Sequence, residues 1–502
     1  MHKSSNWREF LKSLDHILDN LNKGQFEEAL HAARLEHENS GESAELHNII
    51  SIASASMGNL ESARKSCESA IKLNPSYAEA YYNMGNITRD LGDEKSAIEY
   101  YKKTIELQQN FGFAYFNMAA ILFQLRRYKE AAAGFQRTIE LHPAYYAAHY
   151  NLAITLNELG EHDHAIKHCQ TALADATIKA DVSNTLGLLF QKMGDFKNAA
   201  YYFTQSIEIN PGYTVPKDNL LELLAATDFK IDNDHIIVQS HNSLINKRKA
   251  KDSDLGREWD WSSILIATED LFQPSNFQLQ TPQSQIYRRN GLTLNCNRHF
   301  SIFNKYAIIP EYCFGCYKVQ FEPNDLIGLI KIYLLFDQLQ LPLNNIRKCM
   351  VELRPEVEGY YKALIYCSTS SEAHSLMVEI TRKAEEFGIE NLKSFLKRGC
   401  TEFGMKFDGF SHVDANCLSD FKYDPKWQEI ERKHDEDYRP AEKIRDNITK
   451  AGVSVLDLLV IKNWIGYARG IGDYSLEKCN HNISHNENFY QLGLQRTQIL
   501  KI

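Results

Sequence analysis

The sequence predicts an all-α repeat superhelix in its first half and an α+β domain in its second. Three observations carry that prediction. Small residues and turn formers recur every 34 positions from residue 44 to 213, and the recurrence then stops. From 312 onward, short apolar strand-like runs take turns with helical stripes. The chain has 502 residues, too many for one ordinary core, so several domains are expected. Its 43% hydrophobic and 24% charged residues are the values of a globular chain, not of a disordered one.

Pro75, Pro143 and Pro211 are spaced by multiples of the period, and Ala63, Ala97, Ala131, Ala165 and Ala199 follow it without a slip. Gly58, Gly92, Gly160 and Gly194 keep the same register, with Arg126 in place of the missing member. Residues 44–213 therefore divide into five units, and a degenerate unit in 1–43 keeps Gly24, Phe26 and Ala29 in phase. Each unit reads as helix, glycine-centred turn, helix. In "YYNMGNITRDLGDEKSAIEYYKKT", Tyr81, Met84 and Thr88 share one stripe of the first helix, and Ala97, Tyr101 and Thr104 one stripe of the second. Residues 214–228 read as a capping helix that covers the last apolar face.

On the residues "YYNMG…G…A…Y" and their counterparts in every unit, this half resembles the tetratricopeptide repeat (TPR) family. The resemblance implies a right-handed superhelix whose first helices line a concave groove. It also implies that Asn83, Asn117 and Asn151, at one repeat position, and Tyr82, Phe116 and Tyr150, at the neighbouring one, can face that groove. An amide ladder can hydrogen-bond an extended peptide backbone in both directions, with the rings supplying apolar area. The same amides can equally be structural filler. A clamp for a C-terminal carboxylate would need Lys or Arg where Tyr82, Phe116 and Tyr150 stand.

Residues 229–285 read as a linker region: helical at first, then charged, then rich in Gln and Pro. Its "NKRKAK" run reads as a solvated helix face. Residues 286–410 read as a cysteine-rich α+β domain, and 411–502 as a partly helical extension. Strand, helix, strand, strand, helix and strand follow one another from 312, the β-α-β-β-α-β order of a ferredoxin-like fold. In that topology the first and third strands are central. Cys313 and Cys316 then lie toward the same sheet end as Cys349, Cys367 and Cys400, and the Cys296-x2-His299 pair enters that end too. The helix "SVLDLLVIKNWIGYARG" offers Leu456, Leu459, Trp464 and Tyr467 for packing on another domain.

The stretch "NCNRHFSIFNKYAIIPEYCFGCYKVQF", residues 295–321, poses the chemical question. Cys296, His299, Cys313 and Cys316 have the paired spacing of a tetrahedral Zn site, with two ligands from each of two tight turns. A rival set, Cys313, Cys316, Cys367 and Cys400, suits an iron–sulfur cluster if strand parity brings the four thiolates together. A redox dithiol at Cys313 and Cys316 would precede a strand, without a helix N-terminus to lower its pKa. Buried strand thiols without a ligand are the plain alternative. Arg347, Lys348, Glu352, Arg354, Lys397, Arg398 and Glu402, with Lys318 and Lys362, form a polar set able to meet an anion such as phosphate or carboxylate. No phosphate loop or catalytic triad motif accompanies them.

A net charge of −9 argues against a nucleic-acid-binding or membrane-surface protein. With no apolar run fit for export or for spanning a bilayer, the ten cysteines are expected to be reduced in a cytoplasmic compartment. The sequence thus points to an interaction scaffold that binds a protein or peptide partner in the repeat groove, with the α+β domain as a second binding or effector module. The alternative is a metal- or thiol-dependent enzyme, for example a transferase, acting on what the repeats recruit.

Overall fold

The computed structural model describes residues 13–251, 261–272, 280–288, 290, 294–413, 421–438, 452–478 and 485–499. Parts of the 1–43 region with its degenerate unit, of the 229–285 connection and of the 411–502 extension lie outside them. The chain forms two compact units, Met1–Pro216 and Lys217–Ile502.

The first unit opens with α1 (13–22) and α2 (Phe26–Ser40). Five helix pairs follow: α3 (Ala44–Ser56) with α4 (Leu60–Leu73), α5 (Ala78–Asp90) with α6 (Glu94–Leu107), α7 (Gly112–Gln124) with α8 (Tyr128–Leu141), α9 (Tyr146–Glu158) with α10 (His162–Ala172), and α11 (Lys179–Lys192) with α12 (Phe196–Ile209). Each pair turns through one residue in the left-handed region. Glycine fills it four times, and Arg126 adopts φ 60° in the unit that lacks one. The recurrent alanines Ala63, Ala97, Ala131, Ala165 and Ala199 are fully buried where helices meet.

One repeat position explains two of the cysteines. Positions 67, 101, 135, 169 and 203 carry Cys, Tyr, Phe, Cys and Phe, all buried on the second helices. Where the side chain is large, the facing first helix supplies room: a Cβ on Gly85 would meet the Tyr101 ring at 2.6 Å, and one on Gly187 the Phe203 ring at 2.4 Å. Cys67 and Cys169 are the small fillers of the same slot, and burial pushes each thiol up to about 12. Gly187→Ala is therefore expected to lower the first unit's stability by about 1–3 kcal/mol through overpacking. A thermal transition followed by circular dichroism checks it, and an unmoved midpoint would refute the fit.

The second unit runs through α13 (Thr214–Ala225), α14 (Ile236–Lys251), α15 (Trp261–Phe272), β1 (Gln285–Arg288), α16 (Cys296–Tyr306), a 3-10 turn (Glu311–Phe314), β2 (Tyr317–Glu322), α17 (Leu326–Gln338), β3 (Arg347–Val351), β4 (Tyr361–Cys367), α18 (Ser370–Glu386), β5 (Lys393–Arg398), α19 (Thr401–Lys406), α20 (Trp427–Asp437), α21 (Val455–Ile471), a second 3-10 turn (Tyr474–Lys478) and α22 (Glu487–Ile499). The sheet order is β1-β3-β4-β2-β5, every neighbour antiparallel. β2 and β4 are central. α17 packs on β3 and β4, and α18 on β2, β4 and β5.

Two boundaries expected from the sequence differ from this arrangement. The 229–285 stretch is not a bare connection: α14 and α15 pack on α21, and residues 281–284 lead into an edge strand. The 411–502 stretch is not an appendage, because α21 is buried on all sides within the same unit. Asn463 Nδ2 donates to the carbonyls of Thr281 and Gln283 at 2.8 Å, and Trp464 Nε1 to that of Ser284 at 2.8 Å. α21 thereby anchors the approach to β1. It also lies so close to α22 that a Cβ on Gly470 would meet the Tyr490 carbonyl at 2.2 Å.

Candidate functional site: a cavity of thiols and lysines

Strand alternation separates the sheet into two chemically different faces. Val319, Phe321, Ala363, Ile365 and Cys349 belong to the face that α17 and α18 cover. The opposite face carries Lys318, Lys348, Lys362 and Lys397, one from each of four strands; Lys318 pairs in register with Lys397, and Met350 with Lys362. These lysines floor a cavity of about 420 Å³. Its walls come from the start of α16 (Cys296, His299), the 3-10 turn and its exit (Tyr312, Cys313, Cys316), the turn after β5 (Gly399, Cys400) and the start of α19 (Glu402).

Local structure fixes the thiols. The Gly399 N–H donates to the Cys316 carbonyl at 2.7 Å, setting Cys400 beside the CxxC turn. Gly399 has φ +63°, and a Cβ there would strike the Phe410 ring at 2.4 Å, so only glycine fits the turn. Cys313 sits in an apolar cluster with Phe303, Ile309, Phe403 and Phe410, and Cys400 packs against it. Lys318 Nζ donates to Cys400 Sγ at 3.2 Å and lies 5.0 Å from the Tyr366 ring. Burial raises the Cys296 and Cys313 thiols and takes Cys316 up to about 11. The mutual charges of Cys296, Cys313, Cys316 and Cys400 add to those rises, and Lys318 opposes them. Such thiols are not the low-pKa pair that dithiol redox chemistry uses.

The cavity is lined by the three cysteines of the zinc-spaced set and by Cys313, Cys316 and Cys400 of the rival set. His299 lines it too, but its ring stacks on Tyr312 at 5.1 Å, and burial, then Arg298, lowers it to about 4. Cys367 lies outside this lining. It pairs with Tyr317, follows the parity of Ala363 and Ile365, and borders a neighbouring cavity with Cys316 and Tyr366. Cys349 is on the helix-covered face, where Arg288 and Arg347 act on it. Among the described residues, the only three or more His, Cys, Asp or Glu ligand atoms within 4.8 Å of one another belong to His37, Glu42 and His47 in the first unit. That group is partly exposed, and neither cysteine set is gathered so tightly.

The floor is strongly cationic. Lys318, Lys348, Lys362, Lys397 and Arg354 face the two carboxylates of Glu352 and Glu402. Glu352, 1% exposed, accepts from Arg354 Nε at 2.8 Å and Lys362 Nζ at 3.3 Å. Burial alone would raise its pKa, yet Arg354 and Lys362 hold it down at about 2. Lys397 is lowered to about 8, by burial first and then by Lys318 and Lys362. Arg347 and Arg398, grouped with these residues by the sequence, do not line the cavity. Arg347 donates to the carbonyls of Phe336 and Leu339, and Arg398 to those of Phe410 and Phe421.

In the first unit, Asn83, Asn117 and Asn151 and the rings of Tyr82, Phe116 and Tyr150 are all partly exposed on first helices. The amides already have partners. Asn83 Nδ2 donates to Asn48 Oδ1 of the preceding unit at 2.8 Å. Asn117 Nδ2 donates to Tyr82 Oη at 3.1 Å and Asn86 Oδ1 at 2.8 Å. Asn151 Nδ2 donates to the Ala147 carbonyl at 2.8 Å.

Family models described as tetratricopeptide or TPR repeats match residues 53–88, 78–111, 113–145 and 145–211. Residues 53–211 are tetratricopeptide repeats. Solved structures similar to this chain include MamA from Desulfovibrio magneticus RS-1 at 24% identity, covering 34% of this chain and 95% of that one with a TM-score of 0.32. A second is YrrB, described as a TPR protein with an unusual peptide-binding site, at 22% identity, 37% and 96% coverage and a TM-score of 0.34. A third is pilF of Pseudomonas aeruginosa, at 16% identity, 42% and 95% coverage and a TM-score of 0.39. No curated protein matches the chain.

A tetratricopeptide array is a protein-interaction scaffold, and no helix among the described residues is long and apolar enough to cross a membrane. In this array the amides bond within the array, two of them to the preceding unit, which accounts for Asn at that position without a ligand. Sequence reasoning missed Tyr287, Gln320 and Tyr366 of the second unit's cavity. The strict alternation in "YKVQFE" and "YKALIYC" marks Gln320 and Tyr366 as lying on the lysine face.

Proposed function

We propose that the repeats bind an extended segment of a protein partner and that the second unit is the effector module, acting through its thiol- and lysine-lined cavity. The observation that supports recruitment is the stripe of partly exposed rings, Tyr82, Phe116 and Tyr150, at 34-residue spacing. With the Asn83, Asn117 and Asn151 N–H groups already engaged, the rings carry the contact and the amides hold the groove's shape. A triple variant Y82A/F116A/Y150A is expected to lose at least tenfold in retention of a partner cross-linked to the intact chain and identified by mass spectrometry. The N83A/N117A/N151A variant is expected to lower repeat stability by about 0.5–1.5 kcal/mol per hydrogen bond lost. Unchanged retention by the ring variant, folded by circular dichroism, would sink the groove reading.

We read the second unit as a ferredoxin-like sheet enlarged at one edge by β1. The β2–β5 element order, central β2 and β4, and helices on one face support that reading. The enclosed thiols beside a cationic floor favour a bound metal group as the basis of the effector role, whether it binds or catalyses.

A further inference from the structure

We infer that Cys296, Cys313, Cys316 and Cys400 are the four ligands of an iron–sulfur cluster of the cubane type. The inference rests on the reading of the cavity as a metal-group site and names both the group and its ligands. It crosses the two sets that the sequence spacing suggests, taking Cys400 in place of His299 and leaving out Cys367.

Convergence is the first argument. Three separate segments deliver the four thiols to one cavity wall: the first residue of α16, the CxxC turn before β2, and the turn after β5. A main-chain hydrogen bond from Gly399 to Cys316 locks the last two segments together. Cys349 and Cys367, the remaining thiols of the sheet, follow the other strand parity.

Spacing is the second. Tetrahedral zinc, with Zn–S about 2.3 Å, holds its sulfurs about 3.8 Å apart. No three of these four sulfurs lie within 4.8 Å of one another. A cubane cluster keeps iron and sulfide between its ligands and holds the cysteine sulfurs roughly 6 Å apart. The cavity of about 420 Å³ that all four thiols line supplies the room.

Charge is the third. A cubane bound by four thiolates is an anion in its common oxidised state, and an anion taken out of water needs nearby cations. This cavity has five cationic side chains against two carboxylates, and the Lys318 ammonium already donates to Cys400 Sγ. The N–H···S contact is the kind of outer hydrogen bond that tunes such clusters. The aromatic cluster of Phe303, Phe403 and Phe410 packs around Cys313 and screens it from water.

The test is anaerobic reconstitution of the intact chain with ferrous iron and sulfide, followed by iron and acid-labile sulfide analysis and a Mössbauer spectrum. About four irons and four sulfides per chain are expected. Cys296→Ser and Cys400→Ser should each lose the spectrum, while His299→Ala and Cys367→Ala keep it. Circular dichroism on each variant separates loss of the group from loss of fold. A folded chain that takes up no iron but one zinc, lost in His299→Ala and kept in Cys400→Ser, overturns the cluster and leaves a metal site standing. A folded chain that retains neither metal overturns both the cluster and the metal reading of the cavity.

Discussion

Arg288→Met is expected to cost the second unit about 3–5 kcal/mol, the range for removing one partner of a buried ion pair. The Arg288 side chain is 9% exposed and contacts Asp337 at 2.5 Å and Asp457 at 3.3 Å, themselves 7% and 8% exposed. It also donates to Tyr333 Oη at 2.9 Å and to the Gly452 carbonyl at 3.0 Å. One guanidinium therefore ties β1 to α17 and α21. Without it, two carboxylates stay buried without the guanidinium that pairs them both. Guanidinium unfolding followed by tryptophan fluorescence measures the loss, with Trp464 as the buried reporter. A midpoint within error of the parent would count against the assignment.

Glu352→Gln is expected to destabilise by about 3 kcal/mol, since a depression from 4.5 to about 2 is worth roughly 1.4 kcal/mol per unit. The sign follows from a folded-state pKa below the unfolded one. The stabilisation is complete above pH 4.5 and disappears as pH falls toward 2. The parent chain should therefore lose stability more steeply across that window than the Gln variant. Parallel pH-unfolding curves for the two chains would remove Glu352 from this role. The substitution also leaves Lys362, 4% exposed, without the carboxylate it donates to.

The repeats were legible because period and volume reinforce each other. A 34-residue recurrence can be counted, and Gly85 facing Tyr101 or Gly187 facing Phe203 leaves a trace in the letters. What the letters could not show is where the amides look: Asn117 faces Tyr82 and Asn86 of the unit before it, a choice made by helix packing. In the second unit, the order of strands and helices could be read from alternation and capping residues. The membership of the thiol cluster needed strand parity and turn geometry together. Cys367 and Lys318 lie at the same sheet end, yet pleating sends them to opposite faces. β1 was hidden because four residues among Gln and Pro make no strand signal, and Asn463 and Trp464 fix the residues just before them, Gln283 and Ser284, from 180 positions away. α21 was mistaken for part of an extension because a helix buried all round shows no amphipathic stripe.

The contrast between the two faces of the sheet has a consequence for how the strands find their alignment. If β2 slid by one residue against β4, Lys318 and Gln320 would turn beneath α17 and α18, and Val319 and Phe321 would turn out among the other lysines. Each misplaced ammonium would enter an apolar layer unpaired, at a cost of several kcal/mol. The charged face thus proofreads the sheet. Only one alignment of β2, β3, β4 and β5 lets the helices close over an oily surface, and that same alignment brings the cysteines together.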